Sequence, residues 1–236
     1  MSASAVHGVE AGEASSIDGY ARLAVALGLE PSFSLHTERP ASIVSDMDPV
    51  HAAMAEIEAT HLRALGFEVM LDEPYQHYQF AGRADVIALD RERRALLHLE
   101  NRTRFPDIQA AIGSYNAKRA YLASELAHRL GIRGGLVFVT HLIVALWSAE
   151  VLHTVRLREN SFRSVCPEPP DDFAAWWSGA APASGGSTSS FILFDPLPAR
   201  RSSRRRWVGL DDLGTVEPRY RGYADALDRL RSASAA

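Results

Sequence analysis

Cysteine, lysine and long apolar runs are what this chain has least of. A single cysteine, Cys166, among 236 residues excludes a disulfide framework, a CxxC redox motif and a cysteine-built zinc site. No uninterrupted apolar stretch approaches the ~18 residues of a membrane span, and the N-terminus carries no basic-then-apolar signal. These absences point to a soluble, cytoplasmic protein with no membrane partner. Phosphate-loop, dinucleotide-fingerprint, HExxH and nucleophile-elbow motifs are missing as well. Of the 25 basic residues only Lys118 is a lysine, so an arginine can stand where other proteins use lysine. The net charge of −4 argues against a uniformly basic coat for nucleic acid, but not against a local basic groove.

What is present suffices for a core, since 47% of the residues are hydrophobic. Residues 1–16 are rich in Ala, Ser and Gly and read as a disordered leader. Residues 17–47 hold a short helix (Tyr20, Leu23 and Leu27 at helical spacing) and a linker. That text resembles the last helix and exit segment of bacterial Cro/repressor-type helix-turn-helix regulators; a plain packing helix or relic is the other reading. Residues 48–160 read as the main domain. Asp48-Pro49 opens a helix to about Leu65, with Asp as N-cap and Pro in the first turn. The segments FEVML and HYQFA follow as strands around a turn at Asp72–Pro74, then RADVIAL and ALLHLEN around a charged loop at Asp90–Arg94. A long amphipathic helix spans Pro106 to Leu130 and stops at Gly131. GGLVFVT reads as a buried strand and HLIVALWSAEVLHTVRLR as a helix. In residues 161–236, DDFAAWWSG is a short helix and Ala180–Ser190 a Gly/Ser/Ala linker. FILFD and RRWVGL suit an antiparallel hairpin. The whole is a mixed α/β protein.

The chemistry concentrates between Arg83 and Arg104. If the two strands there pair about the Asp90–Arg94 loop, Leu89 faces Leu96, Ile87 faces His98 and Asp85 faces Glu100. Opposed residues share a face about 5 Å apart, and alternation sets Arg83 and Arg102 beside the carboxylates. Like charges held opposite one another need a cation or a shared proton. Mg²⁺ among oxygen ligands is one solution; a surface network with Arg83 and Arg102 is another. The flanking helices add polar groups to core-facing stripes. Glu58 falls inside the stripe of Val50, Met54, Ile57 and Leu65, whereas Glu56 points away. A buried carboxylate there requires a partner. On the second helix Arg119 interrupts the apolar stripe, with Gln109 and Asn116 along one edge. His61, His98 and His141 lack ligand spacing and read as satisfied core or edge residues.

A helix with an inward Glu, strands carrying Asp and then Glu-x-basic, and a helix with Gln resemble the PD-(D/E)XK, or restriction-endonuclease-like, nuclease superfamily from about Pro49 to Thr140. The resemblance implies an αβββαβ core, followed here by a C-terminal helical and β-hairpin extension. It implies a metal, Mg²⁺ or Mn²⁺, held by Asp85 and Glu100, with catalytic roles for Asp85, Glu100, Arg102, Glu58 and Gln109. The text also resembles a domain of actinobacterial helix-turn-helix-associated regulators. Two functions follow: a divergent Mg-dependent nuclease hydrolysing DNA, or a catalytically retired domain serving as a DNA-associated regulatory or partner-binding module. A homodimer is compatible with either. The departure from pattern is Arg102, which stands where the superfamily has lysine. Arginine holds phosphate but is a poor proton acceptor. Lys118, near an edge of the helical stripe, is either its substitute or a snorkelling surface residue. The Arg-rich run before Trp207, with Arg204, Arg205 and Arg206, is either a phosphate-binding segment or a solvated loop.

Overall fold

The computed structural model describes residues 25–26, 28, 48–78, 80–182, 185–197 and 205–234. The chain divides into two compact units, Met1–Arg39 and Pro40–Ala236. In the first, Val25 and Ala26 are helical and Gly28 turns the chain at φ +72°; the expected leader and most of the expected helix and linker lie outside the described residues.

The second unit is a six-stranded mixed sheet in the order β1-β2-β3-β4-β5-β6. Its strands are β1 (Glu68–His77), β2 (Phe80–Asp90), β3 (Ala95–Arg102), β4 (Phe138–Leu146), β5 (Gly186–Phe194) and β6 (Trp207–Gly209). The helices are α1 (Pro49–Ala64), α2 (Ile108–Arg129), α3 (Ala149–Leu157), α4 (Glu159–Val165), α5 (Asp171–Trp177) and α6 (Tyr223–Ser234). The β1–β2, β2–β3 and β5–β6 pairs are antiparallel; β3–β4 and β4–β5 are parallel. Alternation along the strands divides the core into two layers. Val86, Ala88, Leu97 and Leu99 pack on Val50, Met54 and Leu62 of α1, with α5 and α6 beyond. Ile87 and Leu96 pack on Leu122 and Leu126 of α2. Ile143 and Phe191 meet α3 and α4 on that same side.

Local signals hold where they are strong. Asp48 Oδ1 accepts from the backbone N–H groups of Val50 and His51, each at 3.0 Å, which caps α1 as expected. Asp107 caps α2 through Ala110 N at 3.0 Å. The β2–β3 register pairs Leu89 with Leu96 and Ile87 with His98, as alternation predicts. FILFD and RRWVGL pair as β5 and β6.

Three expectations fail, each for a physical reason. HLIVAL belongs to β4, and the helix starts only at Ala149. Every residue of β4 is buried, so this strand between two parallel neighbours shows no alternation to mark it off from a buried helix. The expected linker ends in β5, whose Ser189 and Ser190 are buried. Their hydroxyls bond Val165 O at 2.8 Å and Pro169 O at 3.0 Å, so small polar residues that suggest a linker here permit close packing. The turn expected at Asp72–Pro74 lies inside β1; the hairpin closes after His77, which pairs with Phe80. Asp72 instead takes φ +50°. Before it Val69 and Leu71 pack with the α1 layer, and after it Tyr75 packs with the α2 layer. The strand changes face at Asp72, opposite Asp85.

Candidate functional site

Consecutive residues at the end of β3 point to opposite faces of the sheet, and each meets a carboxyl chemistry of its own. On the α2 face Glu100 is 1% exposed and Lys118 4%. Lys118 Nζ donates to Glu100 Oε1 at 2.6 Å and Oε2 at 2.5 Å. Arg102 donates to Oε1 at 2.5 Å and to Asn101 O at 3.0 Å. Burial alone would raise the Glu100 pKa, but Lys118 and then Arg102 hold it well below the usual carboxylate range.

Behind Glu100 stand two buried imidazoles. His98 Nε2 is 3.4 Å from Glu100 Oε2, and its Nδ1 meets His141 Nδ1 at 3.1 Å. Burial lowers both imidazole pKa values, most strongly for His141, so the pair is neutral. One Nδ1 must carry the shared hydrogen and the other the lone pair. A hydrogen on His98 Nε2 facing the carboxylate places the shared one on His141. Both histidines are core residues, as expected, but His98 Nε2 is buried without a hydrogen-bond partner among the described residues. His61 is satisfied, by Trp177 O at 2.8 Å.

On the α1 face Asn101 joins two carboxyls. Its backbone N–H donates to Asp85 Oδ2 at 2.7 Å, and its Nδ2 to Glu58 Oε2 at 2.9 Å. Glu58 is fully buried and Glu56 exposed, which is the helical phase the sequence predicts. Desolvation pushes the Glu58 carboxyl up to about 8 against the pull of the Asn101 bond. Glu58 Oε1 and Asn101 Oδ1 are both buried without a hydrogen-bond partner among the described residues. His51 Nε2 lies 3.3 Å from Asp85 Oδ2. Burial works against the imidazolium, but the bond and charge of Asp85 outweigh it and raise the His51 pKa.

The structure thus sets Asp85 and Glu100 on adjacent strands, one position beyond the Val86–Leu99 pair of the ladder, but not on the shared face expected: β2 reverses its faces at Asp85, which turns to His51 while Glu100 meets Lys118. Arg83 partners neither; its Nε bonds Asp72 at 2.6 Å. Lys118 is not a snorkelling edge residue but a buried partner of Glu100. Gln109 is exposed in the first turn of α2, nine residues and so about 13.5 Å along the helix from Lys118, and is not brought to the pair. His51 escaped the sequence reading; its place three residues after an Asp-Pro cap, one turn before Met54 on the buried stripe, was the available signal. Arg204 lies outside the described residues. Arg205 bonds Asp212 at 2.6 Å and Arg206 bonds Leu197 O at 3.4 Å.

Among the described residues no group of three or more His, Cys, Asp or Glu stands in ligand geometry. Apart from His51 Nε2 on Asp85 Oδ2, the uncommitted donors on this face are oxygens: Asp85 Oδ1 and the partnerless Glu58 Oε1 and Asn101 Oδ1. That chemistry fits a hard divalent cation, whose binding would displace the Glu58 proton. Glu100 joins such a set only where Lys118 and Arg102 release it. A scan against protein-family models finds no match, and no curated protein is significantly similar in sequence.

Proposed function

We propose that the protein is a divergent, metal-dependent nuclease of restriction-endonuclease-like descent that hydrolyses phosphodiester bonds in DNA. The observation that carries this reading is Lys118 Nζ on both oxygens of Glu100. The chain's only lysine, on α2, supplies beside the carboxylate the ammonium that Arg102 replaces in the tripeptide. The element order helix, three antiparallel strands, helix, parallel strand from α1 to β4 supports an αβββαβ core.

Asp85, with oxygens of Glu58 and Asn101, is the set that would hold Mg²⁺ or Mn²⁺. Such an ion, when bound, lowers the pKa of coordinated water and offsets charge on the phosphate. Arg102, half-buried at the rim, clamps a phosphate oxygen through its planar fork. Lys118 orients Glu100 and offers its ammonium to developing negative charge. His98 stands behind Glu100 on the core side, with Nε2 3.4 Å from its carboxylate.

A second reading, a catalytically retired DNA-associated regulatory or partner-binding module, is favoured by one observation: Glu100 is 1% exposed and already neutralised by Lys118 and Arg102. Plasmid nicking with Mg²⁺ and Mn²⁺, run beside Mn²⁺ calorimetry, separates the two. The nuclease reading expects metal-dependent nicking that Lys118→Met and Asp85→Asn abolish and Arg102→Lys retains. Inert wild type with no Mn²⁺ heat leaves the retired module standing.

A further inference from the structure

The stripe of α2 that carries Lys118 continues into a group of aromatic rings. Tyr121 follows Lys118 by three residues, about 4.5 Å along the helix axis. It stacks on His77 with centroids 4.2 Å apart and planes 14° apart, and on Phe80 at 5.2 Å and 23°. Glu125, one turn further, fixes His77 through Nδ1 at 2.8 Å. Tyr78 meets the His77 ring edge-on at 4.8 Å.

Tyr78 is 88% exposed and Phe80 39%. Tyr78 also sits at φ +51°, in the left-handed region that hairpin turns normally give to Gly, Asn or Asp. A bulky ring held out in water from such a backbone is unfavourable on both counts, and folding alone does not require it.

The rings also lead inward. Tyr75 packs with Ile87, Leu96 and Leu122 and lies across β2 at Gly82, where a Cβ would come within 2.9 Å of the ring. Glu100 is near enough that its charge adds to burial in raising the Tyr75 pKa. Tyr75, buried beside Glu100, precedes the exposed Tyr78 by three residues along the same hairpin. The two exposed rings, Tyr78 with its hydroxyl and Phe80, offer flat π-faces to solvent, which suits a stacked planar group. Arg83 and Arg129 lie further down the hairpin, level with Pro74, each paired with a carboxylate, Asp72 and Glu73 respectively.

We propose that the tip of the β1–β2 hairpin, with Tyr121 of α2, is a stacking platform for the nucleobases of a single strand, whose backbone it directs toward Lys118 and Arg102. The direction of the strand rests on the nuclease reading of the neighbouring site; the stacking itself does not. Every base offers a π-face, so the platform selects unpaired bases, not sequence.

The test is binding without cleavage. A fluorescein-labelled 15-nucleotide single strand and the corresponding blunt duplex are titrated in EDTA with the full chain, and fluorescence anisotropy is followed. Wild type should favour the single strand, and Tyr78→Ala should weaken that binding about five- to tenfold while leaving duplex binding unchanged. Tyr78→Trp should restore or exceed wild-type affinity; Tyr78 is exposed, so neither variant endangers the fold. Equal affinity of Tyr78→Ala and wild type for the single strand overturns the proposal, as does a preference for duplex or no binding at all. Competition by free dAMP at the same concentration per base would assign the site to a mononucleotide instead. A Tyr78-dependent sedimentation shift without a change in oligonucleotide affinity would assign it to a second copy of the chain. Loss of nicking in the metal assay leaves this measurement untouched, so the two readings fail separately.

Discussion

The two faces of the sheet at the end of β3 solve one electrostatic problem in opposite ways. On the α2 face, Glu100 is kept charged by Lys118 and Arg102. On the α1 face, Glu58 has an amide and no cation, and burial drives it up to about 8. Both are buried glutamates, and Asn101, the partner of Glu58, directly follows Glu100 in the chain. Residue type and burial therefore do not decide protonation; the sign of the group facing across the interface does. The charged face is suited to a phosphate, and the protonated face to a cation that displaces a proton.

The largest effect expected from breaking this contrast is on the charged face. Lys118→Met leaves Glu100 buried with Arg102 alone and should cost about 3–5 kcal/mol in urea unfolding. Adding Glu100→Gln removes the stranded charge and should restore part of that loss. An additive double mutant would mean that the two side chains do not neutralise each other.

The protonated face should show itself in the pH dependence. The Glu58 pKa is raised from 4.5 to about 8, so its stabilising contribution is complete below about pH 4.5 and is lost as the pH rises through 8. Between those values the slope is about 1.4 kcal/mol per pH unit. Glu58→Gln, which keeps the amide bond to Asn101, should flatten the slope of the urea midpoint from pH 5 to 8; Glu56→Gln should not. Glu100 slopes the other way. Its pKa is depressed, so its contribution is present above the ordinary carboxylate value and lost as the pH falls.

A smaller effect should sharpen the contrast at the rim. His51 is raised above 6.5 chiefly by Asp85 acting against burial, so its contribution is complete below 6.5 and fades as the pH rises through the folded value. Asp85→Asn should lower the His51 pKa in an NMR titration of the imidazole. An unchanged titration would show that another group holds the proton there.

Much of the fold could be read from local pattern. The Asp48-Pro49 cap, the stripe that buries Glu58 and exposes Glu56, and the β2–β3 register all depend on residues a few positions apart, where sequence spacing and spatial spacing are nearly the same thing. The long α2 helix and the β5–β6 pairing were legible for the same reason. β4 was not, because a strand buried on both faces loses the period that identifies it. Ser189 and Ser190 misled because composition records polarity and not the hydroxyl's partner.

The candidate site was half legible. Glu100 and the inward Glu58 could be placed from alternation and helical phase, since each is a question of which way a side chain leaves its own element; the face expected for Asp85, shared with Glu100, is not the one it takes. Lys118 on Glu100 could not, because it depends on how far α2 slides along the sheet, 18 residues away in the chain. The turning of Asp85 toward His51 goes with the reversal of faces at Asp72, which no period announces. Protonation is of the same kind. Coulomb attraction and desolvation act through space between elements that the chain brings together only on folding, so spacing names the carboxyl groups and packing assigns their charge.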